Sequence, residues 1–239
     1  MLGRFLELSV CAPRILDSWH FWQRLGFTPA TVGEAWPQGY AVLTDGRISV
    51  GLHASVDVPH PALTWVRPEL ARQIASFEAA GIDFERRVLG DDEFHEATFT
   101  DPDRQLVRLV EARTFSPPAR APASRLGWFE EYAMPVDDLA RTQEFWERQG
   151  FVTAAEGERP WPHLALTSDT LDLGLYRTRE LVAPTLRFVT DDVQELREEL
   201  AGAGIEPESR LPRSLDPKLH LLVVTPDGTN LLVGLDGDD

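Results

Sequence analysis

Two spacings of apolar residues alternate along this chain. Phe5 to Ala12 reads as a strand, whereas from Ile15 to Leu25 apolar positions return every three or four residues, the mark of a helix, closed by Gly26. Short strand-like runs follow at Thr28–Val32, Tyr40–Thr44 and Ile48–His53, with Asp45-Gly46 as a hairpin turn. Leu63–Val66 opens a second round. Its spacing predicts a helix over Pro68–Ala80, with proline in the first turn and Gly81 past the end. Strands are expected at Phe84–Val88, His95–Thr100 and Leu106–Glu111, with Asp101-Pro102-Asp103 as the last turn. Each round is a βαβββ unit.

The pattern then starts again. His20-Phe21-Trp22-Gln23-Arg24-Leu25-Gly26-Phe27 returns 124 residues on as Glu144-Phe145-Trp146-Glu147-Arg148-Gln149-Gly150-Phe151. Ser49-Val50-Gly51-Leu52-His53 returns 123 residues on as Asp172-Leu173-Gly174-Leu175-Tyr176, and Ala80-Gly81-Ile82 as Ala203-Gly204-Ile205. Asp101-Pro102-Asp103 has its match in Thr225-Pro226-Asp227. A nearly constant offset over separate matches marks a tandem duplication. The stretch 114–124, with three prolines among small residues, reads as an extended connector, leaving a first half at 1–113 and a second at 125–239. Helices are expected near Leu139–Gln149 and Val193–Ala203 in the second copy.

Charge narrows the partners. With 39 acidic against 23 basic side chains the net charge is −16, a field that repels phosphate backbones and anionic lipid. Nucleic acid and membranes are therefore excluded as primary partners, and a neutral or cationic small molecule fits. Cys11 is the single cysteine, so neither an intrachain disulfide nor a cysteine zinc cluster is available. No apolar run reaches the ~18–20 residues of a membrane helix. Glu7 falls where a secretory leader would continue its apolar core, so a cytoplasmic protein is expected, as monomer or homodimer.

The Phe-Trp helix, the helix ending in Ala-Gly-Ile and the Pro-Asp turn before a last strand together resemble the vicinal oxygen chelate superfamily. It includes glyoxalase I, extradiol dioxygenases, fosfomycin-resistance enzymes and bleomycin-binding proteins. The resemblance spans the chain as two α+β domains. It implies that each folds its two βαβββ units into a curved mixed sheet around a cleft. It also implies a divalent metal held by residues of the first and last strands. Transferred position by position, the first-strand ligand falls on Glu7 and on Glu131, carboxylates suited to a hard cation. The opening strand of each second unit places Ala62 and Thr185 at a further ligand position. The last-strand glutamate falls on Arg108 in the first copy and on Leu232 or Val233 in the second. That set lacks the usual donors in both halves, so no cofactor is expected. A divalent metal at Glu7, His53 or Glu131 is the alternative.

Other groups then come into view. Glu7 and Arg108 are expected to pair where the metal would sit, either to hold a ligand or as a salt bridge. Glu131 has no such partner in the alignment, so it either has a raised pKa in an apolar cleft or is solvated at its mouth. Cys11 is expected to face the first cleft. His53 ends the fourth strand, with Tyr176 in its place in the second copy, and is either a remnant ligand or a surface residue. Trp36-Pro37 and Trp161-Pro162 recur between the second and third strands, as aromatic lids or as stiffened corners. Trp22, Trp146, Trp65 and Phe188 fall at core spacing. These residues predict a protein that binds an aromatic or cationic small molecule without a catalytic metal. The alternatives are a metal-dependent lyase or dioxygenase using Glu7 or Glu131, and an interaction module with filled clefts.

Overall fold

The computed structural model describes residues 2–30, 39–55, 61–111 and 121–236. In the first half the elements run β1 (Arg4–Cys11), α1 (Ile15–Arg24), β2 (Thr28–Pro29), β3 (Tyr40–Thr44), β4 (Ser49–His53), then β5 (Ala62–Val66), α2 (Leu70–Ala79), β6 (Arg86–Val88), β7 (Glu96–Thr100) and β8 (Leu106–Val110). The second half repeats them as β9 (Trp128–Pro135), α3 (Leu139–Arg148), β10 (Val152–Gly157), β11 (His163–Thr167), β12 (Asp172–Tyr176), β13 (Thr185–Thr190), α4 (Val193–Gly202), β14 (His220–Val224) and β15 (Asn230–Leu235).

Each half is one mixed sheet, ordered β2-β3-β4-β1-β5-β8-β7-β6 and β10-β11-β12-β9-β13-β15-β14. The first strand of each unit lies parallel to its last (β1 with β4, β5 with β8), and the two units join antiparallel along β1 and β5. Two local expectations are corrected. Pro68 lies outside α2, which begins only after Glu69 has turned into the left-handed region at φ 53°. The last unit is βαββ: no strand forms between α4 and β14, where Pro207 and Pro212 flank the stretch that corresponds to β6. There the chain from 206 to 219 loops outward, tied by the bond from Glu208 N to Leu222 O at 2.7 Å. The expected connector 114–124 lies largely outside the described residues.

One hydrophobic core runs through both halves. Trp65 of β5 meets Trp146 of α3 at 6.2 Å between centroids, and Phe99 of β7 meets Phe145 at 6.3 Å. The repeated tryptophans are fully buried and reach across. Trp22 Nε1 donates to Asp227 Oδ2, and Trp146 Nε1 to Asp101 Oδ2, each at 3.1 Å. No helix among the described residues is long and apolar enough to cross a membrane.

Candidate functional site

In β1, Leu8 and Val10 join the shared core, so the period of two turns Glu7, Ser9 and Cys11 to the opposite face. Glu7 is 1% exposed. Its Oε1 accepts from Ser9 Oγ at 2.7 Å and from His53 Nε2 at 2.9 Å, and its Oε2 accepts from the Tyr40 hydroxyl. Thr64 Oγ1 closes the cluster against Ser9 Oγ at 2.8 Å. Burial pushes the Glu7 carboxyl up, but His53, Tyr40 and Ser9 outweigh it and hold the group below its ordinary value. Against an ionised carboxylate His53 presents Nε2–H, so its Nδ1 is the unprotonated nitrogen in the neutral ring. His53 is thus tied into a buried cluster, not left as a surface residue. Cys11 is a half-buried free thiol in register with His53.

The expected Glu7–Arg108 pair is not formed. Strand β5 stands between β1 and β8, and Arg108 turns to the next strand instead. Its Nε donates to Glu96 Oε2 at 2.8 Å, with Nη2 adding a second bond. On the same face Leu6, Ala30, Tyr40, Val42 and Val110 pack together. Trp36 lies outside the described residues.

The second half builds its equivalent differently. Glu131 is 5% exposed and partnered, contrary to expectation: the Tyr176 hydroxyl donates to its Oε1 at 2.5 Å, and Arg187 Nη1 stands 3.7 Å away. Arg187 also donates to the Tyr176 oxygen and pairs through Nε with Glu130 Oε2 at 3.0 Å. Burial, then the Glu131 charge, pushes the Tyr176 hydroxyl well above its ordinary pKa, so it stays a donor. Arg187 was not foreseen; it faces Glu131 directly across the β13–β9 ladder. Tyr40, also missed, did leave a signal. Tyr40 opposite His53 on β3 and β4 becomes His163 opposite Tyr176 on β11 and β12, the same pair with its order reversed.

Above this cluster opens a cleft of about 500 Å³, walled by Trp161, Tyr176, Leu181, Leu215 and Leu232. Trp161 is 6% exposed and edge-on to Tyr176 at 6.0 Å, so it forms wall rather than lid. A second lobe of about 340 Å³ shares Leu181 and Leu232. It is bounded by Arg210, Leu211, Pro212 and Arg213 of the outward loop.

No family model matches the sequence, and no curated protein does either. Solved structures do. A catechol 2,3-dioxygenase is 15% identical at TM-score 0.58, over 98% of this chain and 88% of its own. Homoprotocatechuate 2,3-dioxygenase from Arthrobacter globiformis is 13% identical at TM-score 0.64, over 98% and 80%. The 2,3-dioxygenase LapB from Pseudomonas sp. KL28 is 13% identical at TM-score 0.62, over 99% and 94%. The fold is the one these 2,3-dioxygenases share.

The residues present do not fit the metal that the vicinal oxygen chelate fold implies. In the second half the three positions hold Glu131, already bonded to Tyr176, with Thr185 and Leu232. The register puts Leu232 opposite Arg187 on the cleft face, while Val233 joins the core. In the first half they hold Glu7, Ala62 and Arg108. Glu7 and His53 are two donors bonded to one another, and the groups around them are hydroxyls. Among the described residues no three His, Cys, Asp or Glu side chains are grouped to hold a metal ion.

Proposed function

We propose that this protein binds a small organic molecule with a flat apolar body in the second-half cleft, without a catalytic metal. The observation that carries this reading is Leu232. An aliphatic side chain stands where the fold's metal-ligating glutamate would be, and it continues an apolar wall of Trp161, Leu181 and Leu215. Such a pocket holds a ligand by burying apolar surface, with few polar groups fixing its orientation. The Glu131–Tyr176–Arg187 cluster beneath it is internally satisfied and serves as a rigid floor.

The names of the structural neighbours favour a second reading, a divalent-metal-dependent dioxygenase, and the Glu7–His53 contact is the pair on which it would rest. Metal content separates the two. Protein purified without chelators is incubated with iron, manganese and zinc salts, desalted, and measured by mass spectrometry. Metal well below one equivalent supports the binding reading. Near-stoichiometric metal that Glu7→Gln abolishes replaces it with the second.

A further inference from the structure

We infer that the ligand of the second-half cleft is an anion: an apolar body carrying one carboxylate, sulfonate or phosphate, seated toward Arg210 and Arg213. This deepens the binding reading above and rests on it. The argument begins with the repeat. In the first half Arg87 pairs with Glu78 of α2, so that guanidinium group is matched. The two positions recur 123 residues on as Arg210 and Ala201. The arginine is kept and its carboxylate is gone. Arg213 joins Arg210 on the same loop, and among the described residues neither forms an ion pair.

The outer lobe is thus lined by Arg210, Arg213 and Asn230 together with Leu211, Leu222 and Leu232. Its one carboxylate, Glu180, is held by Ser214, accepting from Ser214 N at 2.9 Å and Ser214 Oγ at 2.8 Å, so two cations stand against one anion. In the inner lobe Arg187 is matched by Glu130 and Glu131. Arg159 and Asp216 face that lobe with opposite charges, and Asp216 Oδ1 already accepts from Lys218 N at 2.8 Å. The unmatched positive charge lies at the outer end, on a molecule whose net charge is −16. Whole-chain charge favours a cation; the lining of the cleft favours the opposite sign, and at a partly enclosed mouth the local groups decide. An arginine pair is also suited to the planar, two-oxygen geometry of a carboxylate.

The test uses three probes of one shape on the full chain: 2-naphthoate, 2-naphthalenemethanol and 2-naphthylmethylammonium, titrated calorimetrically at low salt. Naphthoate is expected to bind at least ten-fold more tightly than the alcohol, and the ammonium more weakly than either. Arg210→Ser with Arg213→Ser brings naphthoate to the affinity of the alcohol, while the distant Arg72→Ser leaves its preference in place. Equal binding of the three probes, or a preference that survives the double substitution, overturns the anion inference and leaves the binding reading intact. Binding of all three that Leu232→Arg does not alter overturns the second-half site itself.

Discussion

Gly51 and Gly174 show what a single missing side chain accomplishes here. Both sit mid-strand, where glycine normally weakens a sheet. A Cβ on Gly51 would overlap the Glu7 carboxylate, and one on Gly174 would overlap that of Glu131. Each glycine is the socket for a buried acid on the neighbouring strand. Gly51→Ala is therefore expected to cost about 2–3 kcal/mol in chemical denaturation, as overpacking against a buried charge. Combined with Glu7→Ala its effect falls below the sum of the two, and strict additivity in that double-mutant cycle would refute the socket. The sequence carried part of this: the repeat aligned Glu7 with Glu131 and His53 with Tyr176. It could not assign partners across strands, Tyr40 reaching Glu7 past the intervening β4. Tyr40 and Arg187 reach the acids across ladders whose register no single strand specifies. Arg108 met Glu96 for the same reason.

At the scale of elements, the second half is the better finished. Asp192 caps α4, accepting from Gln194 N at 2.8 Å and Glu195 N at 2.9 Å, and Asp138 caps α3. Neither α1 nor α2 has a side-chain cap. Asp192→Ala should cost about 1 kcal/mol by denaturant midpoint, whereas Arg14→Ala at the start of α1 should change little. A null result at Asp192 would mean that packing alone holds α4. Element order was readable from the periodicity, since strand and helix spacings differ so plainly. The missing strand before β14 was not. Arg210 keeps the place of Arg87 in β6, and the prolines that flank this stretch fix the backbone beside it without changing its hydropathy.

Across the whole molecule the junction between halves is set by Asp101. Burial raises its pKa to about 6, against the pull of the Asp103 and Gln105 amides and the Trp146 indole. An acid with a raised folded-state pKa favours folding when protonated, and that contribution is lost as pH rises through the folded value. At about 1.4 kcal/mol per unit, ionising Asp101 removes about 3 kcal/mol between roughly pH 4 and 6. Glu7 acts in the opposite sense, its contribution being lost as pH falls below its ordinary value. Stability measured across this range should show the Asp101 fall as a difference between wild type and Asp101→Asn. Parallel profiles for the two proteins would contradict it.

The crossed tryptophan bonds join helix faces to turns and use no residue of either outward sheet face. Trp22 and Trp146 are matched between the halves; Glu7 and Glu131 stand in dissimilar company. A duplicated chain held this way has separated its frame from its worksites. Among the described residues one face packs Leu6, Val42 and Val110 together, while the other carries a cleft. Divergence could proceed pocket by pocket without the joint ever being renegotiated.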